Sequence, residues 1–271
     1  MTLRPGRLVL IGHPVAHSLS PKIQNAALRA ANIQLTYELL DVAPASLDRV
    51  LTSLAAQSAA GNVTIPHKSR VAEHCHRLLP MAQRTGAVNT FWTEHGGLVG
   101  DNTDADGFDD AVRDLLGTLP HDAEVGVIGA GGAAAGIIAA IERWDACRVR
   151  LYNRTDFHAR ALAARFEGIA TVARSVRDAV AGVPLVVNAT PVGMHDDTLS
   201  IPLDALAPGA AVFDVVYRRG GTALVREARV RGHRAGGGLR MLVGQGARSF
   251  ERWFGFAPDR DLMWEAVRDL G

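Results

Sequence analysis

Lys68 closes the run Asn62-Val63-Thr64-Ile65-Pro66-His67-Lys68, and Asp104 closes Gly100-Asp101-Asn102-Thr103-Asp104. An amine and a carboxylate are the two halves of a proton-handling pair. One exchanges a proton with a reacting oxygen, and the other orients it. Both runs also carry hydroxyl and amide side chains of the kind that hold a small polyhydroxy acid. His17-Ser18-Leu19-Ser20-Pro21 adds two serines two positions apart, a spacing from which both can hydrogen-bond one carboxylate. Further along, Gly129-x-Gly131-x-x-Ala134 fits the glycine pattern of a dinucleotide loop. Oxidising an alcohol sends a hydride to an acceptor and a proton to a base. A lysine, a carboxylate and a dinucleotide loop together therefore imply hydride transfer at a carbon that bears a hydroxyl.

The glycine loop has the context its chemistry requires. It follows the apolar run Val125-Gly126-Val127-Ile128 and leads into the Ala/Ile-rich stretch Ala133–Ile141. The first glycine makes the tight turn, the second lets backbone amides approach a pyrophosphate, and a small third residue lets helix and strand pack. The helix N-terminus then offers partial positive charge to the anion. The next strand ends Leu151-Tyr152-Asn153-Arg154-Thr155, with no carboxylate for a ribose hydroxyl until Asp156, which reads as a helix cap. Arg154 instead presents a planar fork of donors to a 2′-phosphate, which favours NADP over NAD.

The elements that must position these residues follow from hydrophobic patterning. Leu8–Ile11 reads as a buried strand. Pro21 suits a first helical turn, so Ser20 is a candidate N-cap for a helix through Ala31. Thr36–Val42 reads as a strand, Ala45–Ala56 as a helix and Gly61–Ile65 as a strand, a β-α-β-α-β layer. Ala105–Leu116 reads as a helix. Strands at Val125–Ile128, Val149–Tyr152, Leu185–Val187 and Ala211–Phe213 alternate with helices in a doubly wound pattern. Arg240–Phe254 and Asp259–Leu270 read as closing helices, with Trp253 and Trp264 as packing residues. Arg226–Arg234 reads as a solvated helix face. The expected fold class is therefore α/β. A small N-terminal α/β domain precedes a Rossmann-type doubly wound nucleotide-binding domain.

The composition narrows the function classes. The chain has 271 residues, 48% hydrophobic and 21% charged, with a net charge of +1. That is a globular balance with no global field to recruit nucleic acid. Two distant cysteines, Cys75 and Cys147, fit no metal or disulfide framework and imply a reducing compartment. His74-Cys75-His76 does not converge on a metal if helical, because successive side chains point in different directions. The N-terminal apolar run is too short for a signal peptide or a membrane span. These features point to a cytoplasmic location.

Eight segments in order resemble the shikimate dehydrogenase family over residues 12 to about 250. They are the run Gly12–Pro21, the runs ending at Lys68 and Gly107, Gly86-Ala87-Val88-Asn89-Thr90 and the loop Gly129-Ala130-Gly131-Gly132-Ala133. Asn153-Arg154-Thr155, the run Asn188–Met194 and Met241-Leu242-Val243-Gly244-Gln245 complete the set. The resemblance implies that Ser18 and Ser20 bind a carboxylate, and that Thr64, Asn89 and Gln245 bind ring hydroxyls and carboxylate. It makes Lys68 and Asp104 the catalytic pair and Tyr217 a further substrate contact. It assigns Asn153, Arg154 and Thr155 to the adenosine phosphate, Thr190 to the cofactor and Met241 to the nicotinamide side. The implied architecture is a substrate domain over 1–104, an NADP-binding domain over 105–238 and C-terminal helices over 239–271 returning to the first. Proton chemistry would then lie on one wall of a cleft and the hydride donor on the other. The implied protein is a monomer or homodimer acting on a small molecule, with no metal, nucleic acid or membrane partner.

Three positions depart from the family pattern. Gln24 stands for a common His, Arg219 for a common Pro, and His158 for a second phosphate-binding Arg, with Arg160 close by. They leave quinate or a related polyol acid open as substrate and NAD as cofactor. A non-catalytic nucleotide-binding regulator is the reading from another class, and the intact Lys68 and Asp104 argue against it.

Overall fold

The computed structural model describes residues 5–270. The N-terminal stretch Met1 to Arg4, read above for a signal peptide, lies outside them. The chain divides into two compact units, one running through Gly107 and including Leu242–Arg268, the other Phe108–Met241. Among the described residues no helix is long and apolar enough to cross a membrane.

The first unit begins with β1 (Arg7–Gly12), α1 (Ser20–Ala30), β2 (Tyr37–Asp41), α2 (Leu47–Ala56) and β3 (Ala59–Val63). It continues with α3 (Lys68–His74), β4 (Arg77–Leu78), α4 (Pro80–Thr85), β5 (Thr90–Glu94) and β6 (Gly97–Asp101). α5 (Asp104–Leu116) leads out of it. The sheet order is β2-β1-β3-β5-β6-β4. β1 pairs in parallel with β2 and β3, whereas β3–β5 and β5–β6 are antiparallel. Leu8 to Ile11 are all buried, as a strand covered on both faces requires. Val9 and Ile11 face one cluster with Leu47, Leu51, Leu54 and Phe91, so Leu8 and Leu10 face the other side by the two-residue period.

That other side is covered by α1 together with α10 (Leu239–Phe254) and α11 (Arg260–Glu265). A Cβ on Gly246 would stand 2.8 Å from Ile23 Cδ1 and 3.5 Å from Met263 Cε, so a larger residue there would have to displace the end of the Ile23 side chain. Trp253 is fully buried and its ring stacks on Tyr37, with centroids 6.0 Å apart.

Several expected boundaries change. β3 is Ala59–Val63 rather than Gly61–Ile65. Its register against β1 runs from Arg7↔Ala59 to Ile11↔Val63, and Ile65, before Pro66, is 58% exposed. The helix expected from Ala45 starts at Leu47, after one 3₁₀ turn over Pro44–Ser46. Ser20 is not the N-cap of α1. Leu19 holds that position without a side-chain cap bond, and Ser20 is already helical. α3 ends at His74, and Cys75 is extended, so the His-Cys-His run is not one helix. The segment Asp259–Leu270 is α11 followed by a 3₁₀ turn over Arg268–Leu270, with Asp259 as cap accepting from the amides of Asp261 and Leu262. The β5–β6 hairpin was not expected. His95 (φ 50°) and Gly96 (φ 79°) form its two-residue turn, both left-handed as the twist of the strands demands.

The second unit contains β7 (Glu124–Ile128), α6 (Gly132–Ile141), β8 (Arg148–Tyr152), α7 (Asp156–Arg165), β9 (Ala170–Val172) and α8 (Val176–Val180). β10 (Leu185–Asn188), β11 (Ala211–Asp214), α9 (Ala223–Val230) and β12 (Ala235–Gly237) follow. All neighbours are parallel in the order β12-β11-β10-β7-β8-β9. This is the doubly wound order, with its switch point between β7 and β10. Phe108 locks α5 to this sheet, edge-on to Phe213 at 5.3 Å and stacked on Trp144 at 5.7 Å. Arg226 and Arg229 are exposed on α9. Arg226 pairs with Asp197, and the Arg229 guanidinium donates to Ala235 O at 2.8 Å.

Candidate active site

In the first unit, Lys68 is the first residue of α3 and Asp104 the first of α5. Lys68 Nζ lies 2.5 Å from Asp104 Oδ2, and their side chains are only 14% and 6% exposed. Backbone bonds hold both ends of this pair. Lys68 O accepts from Val88 N at 2.9 Å, which ties α3 to the strand-start segment 86–90. Asp104 N donates to Asn102 Oδ1 at 3.0 Å, and Asn102 Nδ2 donates to Ala87 O at 2.9 Å. The β5–β6 hairpin brings Asn89 beside the 101–104 segment, with Asn89 N donating to Asp101 O at 3.1 Å.

Asn89 is the hub. Its Nδ2 lies 2.8 Å from Asp104 Oδ1, 3.0 Å from Thr103 Oγ1 and 3.2 Å from Gln245 Oε1. Its Oδ1 accepts from Thr103 N at 2.8 Å. Gln245 comes from α10, and Ser249, one helical turn on, donates to Gln245 O at 3.0 Å. Asn62 Nδ2 donates to Ser249 Oγ at 2.8 Å and to Asn89 O at 3.0 Å, and the Tyr37 hydroxyl donates to Asn62 Oδ1 at 2.8 Å. Asn62, Asn102, Thr103 and Ser249 are all buried members that received no role from sequence. The first three sit inside quoted runs. Ser249 is signalled only by its i+4 spacing from Gln245.

Two flanking carboxylates differ in environment. Burial pushes the Asp101 pKa up, against the opposing effects of Asn102 N–H and the Arg252 guanidinium at 2.9 Å. Asp41 is exposed, and the hydrogen bond with His13 at 2.5 Å holds its pKa down. Asp41 Oδ2 also accepts from Val15 N at 3.4 Å, which braces the loop that leads to Ser18. Burial pushes the Cys75 thiol up to about 12, so it is no thiolate nucleophile.

The serines lie on the loop after β1. Ser18 Oγ accepts from Ser20 N at 3.2 Å, and Ser20 is buried. That loop borders the Thr64 segment, with His13 N donating to Ile65 O at 3.0 Å. The structure therefore gathers Lys68, Asn89, Asp104 and Gln245 in one bonded cluster, with Ser18, Ser20 and Thr64 on adjoining loops of the same unit. Chemically, the cluster can hold a proton and grip hydroxyls. An ammonium has three donors, and only one is engaged by Asp104.

In the second unit, Gly129 has φ +117°, and a Cβ there would fall 2.7 Å from Ala189 O. Gly131, the N-cap of α6, has nothing within 4 Å of a built Cβ, and Ala134 is fully buried. An open glycine at the start of a ten-residue helix is the cradle that a pyrophosphate needs. Ala130 lies within the same turn, and Gly132 and Ala133 are the first two residues of α6. Arg154 and Thr155 are exposed after β8, and Asn153 Nδ2 donates to Thr155 O at 2.9 Å. Asp156 is not the cap of α7. Thr155 holds that position, and the Asp156 carboxylate pairs with Arg160 Nε at 2.5 Å. Arg160 is thereby engaged with Asp156, two residues past His158, which is exposed. Thr190 follows β10, with its Oγ1 donating to Asn188 Oδ1 at 2.6 Å. Tyr217, half-buried, and Met241, buried, also belong to this unit and not to the Lys68 cluster.

A doubly wound sheet with a glycine turn at its switch point, and a lysine–carboxylate pair in a separate α/β unit, define a two-unit dehydrogenase. Residues 10–91 match the family model of the shikimate dehydrogenase substrate binding domain. Residues 238–268 match that of the shikimate 5′-dehydrogenase C-terminal domain. A shikimate dehydrogenase (NADP(+)) of Rubrobacter xylanophilus is 42% identical over 271 residues, covering 97% of this chain and 95% of its own. The shikimate 5-dehydrogenase of Thermus thermophilus, solved in complex with NADP(H) and shikimate, superposes with a TM-score of 0.87 at 36% identity, covering 97% of this chain and 98% of its own. A quinate dehydrogenase of Corynebacterium glutamicum, solved with NAD, gives a TM-score of 0.86 at 28% identity, covering 97% and 98%. The chain belongs to the shikimate dehydrogenase family.

Proposed function

We propose that this chain is an NADP-dependent shikimate dehydrogenase, reducing 3-dehydroshikimate to shikimate and catalysing the reverse. The observation that carries this is the Lys68–Asp104 pair held at 2.5 Å within the Asn89–Gln245 network. The unit through Gly107, with α10 and α11, takes the substrate, and the unit Phe108–Met241 takes the dinucleotide. When bound, the dinucleotide supplies or accepts the hydride. Lys68 gives a proton to the carbonyl oxygen that becomes the hydroxyl, and recovers it in the oxidative direction. Asp104 holds the ammonium over that oxygen, and Asn89 holds Asp104. General acid–base help of this kind is worth about 10²–10⁴-fold.

Ser18 and Ser20 take the substrate carboxylate. Thr64, Asn89 and Gln245 take ring hydroxyls and carboxylate, and Tyr217 is a further substrate contact. Gly129 to Ala133 and Thr190 hold the pyrophosphate side, Asn153, Arg154 and Thr155 the adenosine phosphate, and Met241 the nicotinamide side. The protein works in the cytoplasm as a monomer or homodimer. A quinate-preferring, NAD-using enzyme is the second reading, favoured by exposed His158 and by Arg160 being engaged with Asp156. Initial rates with shikimate and quinate, each against NADP⁺ and NAD⁺, test all of this. The expected result is the highest kcat/KM for shikimate with NADP⁺. Quinate with NAD⁺ as the best pair would overturn it, and no rate with any pair would favour a non-catalytic nucleotide binder.

A further inference from the structure

Asn188 and Asp214 are the last residues of adjacent parallel strands and stand opposite each other in register. Both are fully buried. Asp214 Oδ1 accepts from Asn188 Nδ2 at 2.8 Å and from Val216 N at 3.0 Å, and Oδ2 accepts from Thr222 Oγ1 at 2.7 Å. Every partner is a donor, which matches an acceptor-only carboxylate. Burial pushes the Asp214 pKa up, and these three bonds oppose the shift. A buried charge is a poor way to gain stability, since an apolar side chain of similar volume often serves as well.

The bonds have a directional consequence. A carboxylate can only accept, so Asn188 must turn its NH₂ group toward Asp214. Its Oδ1 then faces Thr190, accepting from N at 3.1 Å and from Oγ1 at 2.6 Å. Thr190 Oγ1 in turn accepts from Val192 N at 3.2 Å. On the other side, Val216 N and Thr222 bracket the segment that carries Tyr217, Gly220 and Gly221, both glycines at positive φ. Thr222 also caps α9 by accepting from Val225 N at 3.3 Å.

We propose that Asp214 is a positioning residue that sets two ligand-binding loops at once. Through Asn188 it fixes the Thr190 loop, and through Val216 N and Thr222 it fixes both ends of the Tyr217 loop. The assignment of Thr190 to the dinucleotide and Tyr217 to the substrate rests on the function proposed above.

The test uses the full-length enzyme and the variants Asp214→Asn, Thr222→Val and Thr222→Ser. An Asn at 214 keeps one acceptor oxygen: with its NH₂ toward Thr222 the hydroxyl bond must reverse, and with its NH₂ toward Asn188 and Val216 N both of those donors lose their acceptor. The expected result is a folded D214N with KM for NADP⁺ or for shikimate raised about fivefold or more. T222V is expected to raise KM for shikimate by about fivefold while leaving KM for NADP⁺ within about twofold, and T222S to restore the wild-type value. A folded D214N with both KM values within about twofold of wild type overturns the proposal. If D214N does not fold, the threonine variants decide, and a T222V with unchanged KM for shikimate overturns it. If the wild type turns over no shikimate with either dinucleotide, the functional reading fails separately. Amide hydrogen exchange then reads the loops directly. Faster exchange over 215–221 in T222V, restored in T222S, supports the proposal, and no difference overturns it.

Discussion

Replacing Lys68 by Met removes the ammonium and keeps most of the stem. Asp104 Oδ2 loses its partner at 2.5 Å, while Oδ1 keeps Asn89 Nδ2 at 2.8 Å. If Lys68 transfers the proton, kcat falls by about 10²–10⁴, equivalent to about 2.7–5.5 kcal/mol on the barrier. Dinucleotide binding remains intact. Stability falls as well, because a buried carboxylate is left half-paired. Breaking a fully enclosed pair from one side costs about 3–5 kcal/mol. The side chains here are 14% and 6% exposed, so water reaches part of the abandoned oxygen, and about 2 kcal/mol is the expected loss. The sharper test is the cycle with Asp104→Asn. D104N alone strands the ammonium, whereas K68M/D104N leaves no charge stranded. The double variant is therefore expected to be more stable than the sum of the two single losses by about 1 kcal/mol or more. Urea unfolding gives the stabilities, and initial rates with shikimate and NADP⁺ give kcat. A K68M kcat within about tenfold of wild type would sink the proton-transfer role. Single losses that add to within about 0.5 kcal/mol would sink the coupling.

Arg154→Gln is expected to raise KM for NADP⁺ by about tenfold or more and to leave KM for NAD⁺ unchanged. Equal effects on both would remove Arg154 from the 2′-phosphate. Gly129→Ala forces an L side chain to φ +117° and a Cβ to within 2.7 Å of Ala189 O. Weaker dinucleotide binding by isothermal titration and a stability loss of about 1–3 kcal/mol are expected. Asp101→Asn addresses pH. Burial raises the native pKa of Asp101, so the native state holds its proton to higher pH than the unfolded chain. Wild-type stability relative to D101N should therefore fall as pH rises from the unfolded carboxylate range and level off above the native pKa. Urea midpoints measured between about pH 4 and pH 8 check this, and a difference that grows with pH would mean that the Arg252 pair outweighs burial. Trp253→Phe loses the indole bond to Thr90 Oγ1 at 3.1 Å, and about 1–3 kcal/mol of stability is expected to go with it in thermal melts.

Much of the fold was legible because it is written in short-range patterns. A four-residue apolar run ended by glycine reads as a buried strand because it is too short for a helix, and the glycine turn is marked by its place between a strand and a helix. Lys68 and Asp104 stood out because they end polar runs. What was hidden depends on tertiary geometry. The run Val63-Thr64-Ile65 is β-branched and favours a strand anywhere, yet pairing with β1 ends at Val63. Ser20 has a capping side chain, yet the chain enters α1 one residue early and Leu19 takes the place. The β5–β6 hairpin hides in a glycine-rich segment, and its turn signal, His95-Gly96, lacks the usual Asn or Asp. Asn62 looked like a strand residue, and nothing local says that its amide meets Ser249, 187 positions away.

That last distance bears on how the protein comes off the ribosome. The sheet of the first unit is complete once residue 101 has emerged, but Gln245, Ser249, Arg252 and Trp253 reach it only with α10. Until then Asn62, Asn89, Thr90 and Asp101 each lack the one partner that α10 brings, and the apolar face under α10 is bare. The nucleotide unit is synthesised in between and can fold on its own strands while the first unit waits. Vectorial synthesis thus leaves the polar cluster around Asn89 as one of the last parts of the molecule to set, and a chain that stalls after α9 would present a finished sheet with a wet, half-made site.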